Sequence, residues 1–175
     1  MLRELVPRMT RIVMLGNTGN AYVDLAMTRV KTLADAAGLK FEGVKIDPVN
    51  GLESGLDMVS RAHPDGVLVA ASQAFYFPRI YRSIAAFMAA NRLPAIYGNR
   101  GFAEAGGVIA YSTNLDELFR QAAGYADKIL KGTSPGELPV QQAATFELLI
   151  NLTAAKALGL TIPQSILARA DEVIE

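Results

Sequence analysis

The side chains with chemical capacity in this 175-residue chain gather in loops. The stretch Leu15-Gly-Asn-Thr-Gly-Asn-Ala-Tyr-Val-Asp24 follows an apolar run, Ile12-Val-Met-Leu15, and leads into helical periodicity. Glycines, asparagines and a threonine ahead of a helix form a seat for an anion or polar group, because the first N–H groups of a helix lack partners. Asn17, Thr18 and Asn20 offer donors to such a group, and equally suit turn and N-cap chemistry. Three further loops resemble it in composition: Ala71-Ser-Gln-Ala-Phe-Tyr76, Gly98-Asn-Arg-Gly-Phe102 and Ser112-Thr-Asn114. They contribute Ser72, Gln73, Phe75, Asn99 and Arg100, with Tyr97 and Glu104 at their borders. Arg100 suits a ligand carboxylate or a solvated loop. Glu104 suits an amino group or the start of a helix. Phe75, Tyr76 and Tyr97 suit stacking on a solute or local packing.

No catalytic spacing accompanies these groups. His63 is the single histidine and, just before Pro64 and ahead of a strand, reads as a surface-loop residue rather than a base or metal ligand; the chain has no cysteine, which excludes a thiol nucleophile and a thiolate metal site. Ser72 follows a strand but has no evident base. Asp47 ends a strand where a dinucleotide fold would hold a ribose, yet the first loop lacks Gly-x-Gly-x-x-Gly. The expectation is a binding protein, not an enzyme, with no metal and no cofactor. Lys plus Arg equals Asp plus Glu at 17 each, and no block of like charge argues for nucleic acid or an anionic membrane.

The elements that must hold these loops alternate. Strands are predicted over 11–16, 40–47, 66–71, 94–97 and 108–111, the third apolar throughout, as when helices cover both sheet faces. Helices are predicted over 20–37, with Val23, Ala26, Val30 and Leu33 inward, then 51–62 and 76–91, the last presenting Ile80, Ile84, Phe87 and Met88. That order gives an α/β fold: a doubly wound, mostly parallel sheet with helices on both faces, in a flavodoxin-like layout. Ligands bind beyond the carboxyl ends of such strands, where the four loops lie. Asn114-Leu-Asp-Glu117 starts a helix running to about 131, with Leu118, Phe119, Ala122, Tyr125 and Ile129 inward. A strand over 146–152, a short helix over 153–158 and a final helix over 162–174 close the chain.

Thr18-Gly19-Asn20 looks like a flavodoxin phosphate loop, so a flavin-binding protein is an alternative, with Phe75, Tyr76 and Tyr97 as flanking aromatics. Residues 93–175 resemble the C-terminal half of the tryptophan/tyrosine-binding (TrpX-like) substrate-binding proteins of ABC transporters. The resemblance rests on Ala95-Ile-Tyr-Gly98, Glu104-Ala-Gly-Gly107, Ala126-Asp-Lys-Ile-Leu-Lys-Gly132, Lys156-Ala-Leu-Gly-Leu-Thr-Ile-Pro163 and Leu167-Ala-Arg-Ala-Asp-Glu172. Residues 2–92 are similar more weakly, through the Asn-containing loop and Asp65-Gly-Val-Leu-Val69. The resemblance implies a lobe of a type I periplasmic binding protein, a small amino acid-like or aromatic solute, an ABC permease as partner, and a periplasmic or extracytoplasmic location. It also implies two units: a ligand-binding lobe over 1–113 and a segment over 114–175 that returns to a first lobe not represented here. A non-binding structural or regulatory remnant of a transporter gene is a further alternative. Met1-Leu-Arg-Glu-Leu-Val-Pro7 holds no apolar h-region, so no signal peptide is expected, and the chain as made is cytoplasmic on that reading. The apolar faces of the helix at 114–131 and the strand at 146–152 are expected to dock on this lobe or on a second copy, giving a homodimer.

Overall fold

The computed structural model describes residues 1–142 and 145–175. Seven strands form one sheet: β1 (Arg11–Asn17), β2 (Lys40–Ile46), β3 (Gly66–Val69), β4 (Ala95–Tyr97), β5 (Ile109–Thr113), β6 (Phe146–Asn151) and β7 (Glu172–Ile174). Their order across the sheet is β2-β1-β3-β4-β5-β6-β7. The first five are parallel, β6 runs antiparallel to β5, and β7 is parallel to β6. The expected α/β fold, mostly parallel with helices on both faces, is what the chain adopts.

Alternation along the strands builds both faces. Val13, Leu15, Val67 and Val69 point into a core closed by α3 (Leu52–Arg61), α4 (Pro78–Ala90) and α5 (Arg100–Glu104). Ile12, Met14, Leu148 and Ile150 point the other way, under α1 (Leu2–Leu5), α2 (Ala21–Ala36), α7 (Leu152–Ala157) and α8 (Gln164–Leu167). Side chains of successive strand residues leave opposite faces, so continuous apolar runs are required here. Gly55 lets α3 press against β2, since a Cβ there would strike Ile46.

Two expectations are corrected. In α2 the buried residues are Val23, Met27 and Ala34, whereas Leu33 is exposed. The final helix over 162–174 is instead the short α8 followed by β7. Ile162, Ile166, Ala170 and Val173 mimic helical spacing, but the Asp171 carboxylate accepts from the Leu148 N–H at 2.8 Å and its own N–H donates to Leu148 at 2.9 Å, which holds β7 alongside β6. The strand expected at 146–152 docks on this lobe, one of the two outcomes foreseen for it: it pairs with β5, so the sheet continues across residue 113.

The helix over Leu115–Leu130, α6, has no buried residue, although Leu118, Phe119, Ala122, Tyr125 and Ile129 were expected inward. It stands outside the two helix layers. The chain leaves the sheet after Thr113 and returns at Phe146, and the Asn114 N–H donates to the Thr145 carbonyl at 3.1 Å where departure and return meet.

Candidate functional site

The carboxyl ends of β1, β3, β4 and β5 and the amino end of β6 share one edge of the sheet. Two clusters of polar side chains form there. The first joins β1 to β3. The buried Ser72 hydroxyl donates to the Asn17 carboxamide oxygen at 2.7 Å, and Asn20 donates to the same oxygen at 3.3 Å. Ser72 also accepts from the Ala74 N–H at 3.2 Å, which caps a short 3-10 turn. Thr18 and Gln73 are exposed beside them.

The predicted anion seat at α2 is already filled. Asn20 accepts from the Tyr22 and Val23 N–H groups at 3.0 and 3.4 Å, and the Thr18 N–H donates to Ile46. A helix start capped by its own side chain has fewer free donors for a phosphate. This fills the seat that suggested a flavin phosphate loop.

The second cluster surrounds Arg100. Its Nε meets Glu104 at 3.0 Å, Nη1 meets Glu147 at 3.2 Å and Nη2 meets Glu172 at 3.0 Å. Glu147 is a residue that sequence reasoning missed. The antiparallel register sets it opposite Ser112, whose hydroxyl donates to it at 3.2 Å, and Asn114 donates to it at 3.4 Å. Its signal was a single charge inside the apolar strand Phe146-Glu-Leu-Leu-Ile-Asn151. The fork of Arg100 is thus engaged by this chain's own carboxylates rather than open to a ligand's. The Glu104 hydrogen bond, then the charges of Glu147, Glu172 and Glu104, raise the guanidinium pKa further. One cation among three carboxylates leaves the cluster net negative. Asp116 joins Arg100, Asn114, Leu115 and Glu147 around an open hollow of about 220 Å³. Small-molecule sites run to about 300–1,000 Å³, so this is the volume of a partial wall.

The aromatic assignments shift by burial. Phe75 is fully buried in the core and Tyr97 stacks on Phe102 at 4.5 Å between ring centres, so neither ring has a face left for a solute. Burial pushes the Tyr97 phenol well above its usual range. Tyr76, one residue beyond Phe75, is the exposed ring at the Arg100–Glu147 cluster, its phenol raised by burial and then by the Glu147 charge. Asn99 is buried and accepts from the Gly101 N–H at 2.8 Å, capping α5. Gly98 permits the close crossing of the two loops, since a Cβ there would come within 2.5 Å of the Ala71 nitrogen. His63 lies ahead of β3, at the opposite end of the strands, exposed and with φ of 46°. Among the described residues no group of three metal-ligating side chains occurs.

The fold is thus a mostly parallel α/β lobe whose strand ends carry neutral polar side chains and a negative cluster. The chain belongs to the family described as ABC transporter substrate binding protein, whose model matches residues 1–174. Among solved structures it is similar to a conserved domain protein from Vibrio cholerae, with a TM-score of 0.86, 25% identity, and coverage of 98% of this chain and 57% of that one. It shares its fold with an ABC domain from Streptococcus pneumonia in complex with L-Trp, at TM-score 0.86 and 23% identity over 99% of this chain and 58% of that one. It also shares it with CD0873, a substrate binding protein with adhesive properties from Clostridium difficile, at TM-score 0.70 and 20% identity over 99% and 57%. The chain therefore spans somewhat over half the length of each. No curated protein sequence is significantly similar to it. Among the described residues no helix is long and apolar enough to cross a membrane.

Proposed function

We propose that this chain forms one wall of a solute site serving an ABC importer, holding a small amino acid-like or aromatic molecule without catalysis. The observation that carries the reading is the convergence of the two polar clusters on one edge of the sheet, in a chain of the substrate-binding family. Thr18 and Gln73, exposed at the first cluster, and the remaining N–H of the Asn17 carboxamide offer neutral donors for the solute carboxylate, while Ser72 and Asn20 hold Asn17 in place. Glu104 and the buried Glu147, with Arg100 holding the carboxylates in place and Asn99 capping the helix that Arg100 begins, offer a negative wall for its ammonium. Tyr76 offers a ring. The L-Trp complex of the pneumococcal protein, which has the same fold, supports a zwitterionic aromatic solute. An extracytoplasmic location and a permease partner follow from family membership and belong to the same proposal.

One wall supplies only part of the contacts, so weak binding is expected. Titration calorimetry at millimolar solute, with L-Trp, L-Tyr and matching acids that lack the amine, tests the reading. Saturable heat with the amino acids and less with the acids is expected. Silence across the panel, both here and in a relative of full length, overturns the solute class.

A further inference from the structure

We propose that the hollow between α4 and α7 is a second binding site, built for a small carboxylate with an apolar body. It lies at the amino ends of β4 and β5, where β6 runs out and the Asn151 N–H donates to the Val108 carbonyl at 2.9 Å. The two polar clusters occupy the other end of the strands, so the inference is independent of the solute reading. The hollow holds about 310 Å³, within the about 300–1,000 Å³ of small-molecule sites. Ala89 and Ala90 at the end of α4 form one wall, and Ala154, Ala157 and Leu158 form the other. A Cβ at Gly106, which also lines the hollow, would meet nothing within 4 Å. The walls are fixed by the buried Asn151, whose carboxamide donates to the Ala103 carbonyl of α5 at 2.9 Å and accepts from the Ala154 N–H of α7 at 2.8 Å.

Arg92 sets the chemistry. It is the one charged residue lining the hollow, and no carboxylate lines it. Among the described residues Arg92 makes no ion pair, whereas Arg100 and Arg120 do. Nor does the end of α4 need its guanidinium. The Phe87 carbonyl accepts from the Asn91 carboxamide at 2.9 Å, Met88 from the Leu93 N–H at 2.9 Å and Ala89 from the Arg92 N–H at 3.1 Å. The carbonyls that a basic side chain would cap are therefore already satisfied. Arg92 also has φ of 53°, the left-handed backbone for which glycine is favoured just past a helix. An arginine costs stability there and returns no contact within the fold, which leaves its charge for a bound molecule. A guanidinium pairs with a carboxylate through two parallel N–H bonds. The alanine and leucine walls favour an alkyl or aryl body beside it. Nothing lining the hollow would receive an ammonium, so its ligand class differs from the zwitterion proposed for the strand ends.

Titration with octanoate, followed residue by residue through amide NMR shifts, tests the proposal. Saturable shifts are expected at the Arg92, Gly106, Thr153 and Ala154 amides, with those of Thr18 and Ser112 unmoved. Octan-1-ol, which lacks the charge, is expected to bind about tenfold or more weakly, and Arg92→Gln to weaken octanoate by about the same factor. Arg92→Lys is expected to retain part of the affinity. Ala157→Phe, at an exposed position of α7, is expected to fill the hollow and abolish binding. Arg92→Gly relieves the left-handed backbone and is expected to melt no lower than the parent, so its loss of octanoate is not a loss of fold. Equal affinity in the parent and Arg92→Gln overturns the proposal. So do shifts that do not saturate, or shifts confined to the loops at the strand ends.

Discussion

The Arg100 guanidinium meets the Glu147 carboxylate at 3.2 Å across 47 residues of sequence, and the antiparallel β6 makes the meeting possible. Glu147 is buried at 10% side-chain exposure, whereas Glu104 and Glu172 are about half exposed. On the proposed function, that burial makes Glu147 the carboxylate to test against a solute amine, with Glu104 and Glu172 orienting Arg100. Glu147→Gln keeps the shape and the acceptor for Ser112 but loses the charge. Affinity for an amine-bearing solute should fall about tenfold or more, as for a lost hydrogen bond to a charged group. Calorimetry with the amino acid and its deamino analogue checks it, and equal losses for both would remove Glu147 from the ammonium site.

Thr18 and Asn20 separate binding from folding. Thr18→Ala removes an exposed hydroxyl, so stability should move by less than about 0.5 kcal/mol. Asn20→Ala removes the cap of α2 and should cost about 1 kcal/mol. Denaturant unfolding should therefore tell them apart, while solute titration should show a loss of affinity for each. A Thr18→Ala protein that binds as tightly as the parent returns the loop to capping alone.

Phe102 ties the fold to the site. It is fully buried, stacked on Tyr97, and sits in α5, the helix that Arg100 begins. Phe102→Ala should destabilise the lobe by about 3–5 kcal/mol. Chemical denaturation measures this, and a midpoint unchanged from the parent would contradict the packing described.

Acid should loosen the amino-terminal end of the sheet through Asp65. Its carboxylate accepts from the Thr10 and Arg11 N–H groups at 2.7 and 2.9 Å and from the Thr10 hydroxyl at 2.9 Å. These bonds, the Thr10 N–H foremost, hold its pKa below the ordinary carboxylate value. A lowered folded pKa stabilises above the unfolded value, near 3.9, and that contribution is lost as pH falls through the folded value. Asp65→Asn should be less stable than the parent at neutral pH, with the difference narrowing at and below about pH 4. A difference constant with pH would assign Asp65 no electrostatic part.

Most of the scaffold was legible because strands buried on both faces announce themselves as apolar runs. Val13, Leu15, Val67 and Val69 needed only their residue types. The site was less legible because two of its features depend on partners distant in sequence. Glu147 reaches the edge through an antiparallel pairing that no local period encodes. Phe75 and Tyr76 were alike candidates for stacking or packing, and a short 3-10 turn within the expected loop decides between them, burying Phe75 and leaving Tyr76 exposed. The closing helix failed for the opposite reason: Ile162, Ile166 and Ala170 carried a helical period, while the deciding contact was Asp171 with Leu148 on another strand.

The closure of Asn114 on Thr145 makes the excursion between β5 and β6 removable. Its two ends are neighbours in an antiparallel pair, so a short turn can join them without moving either strand. Chain can thus be lengthened, exchanged or cut out at that point while the seven-stranded sheet keeps its order, so whatever the excursion carries is separable from the fold that displays it.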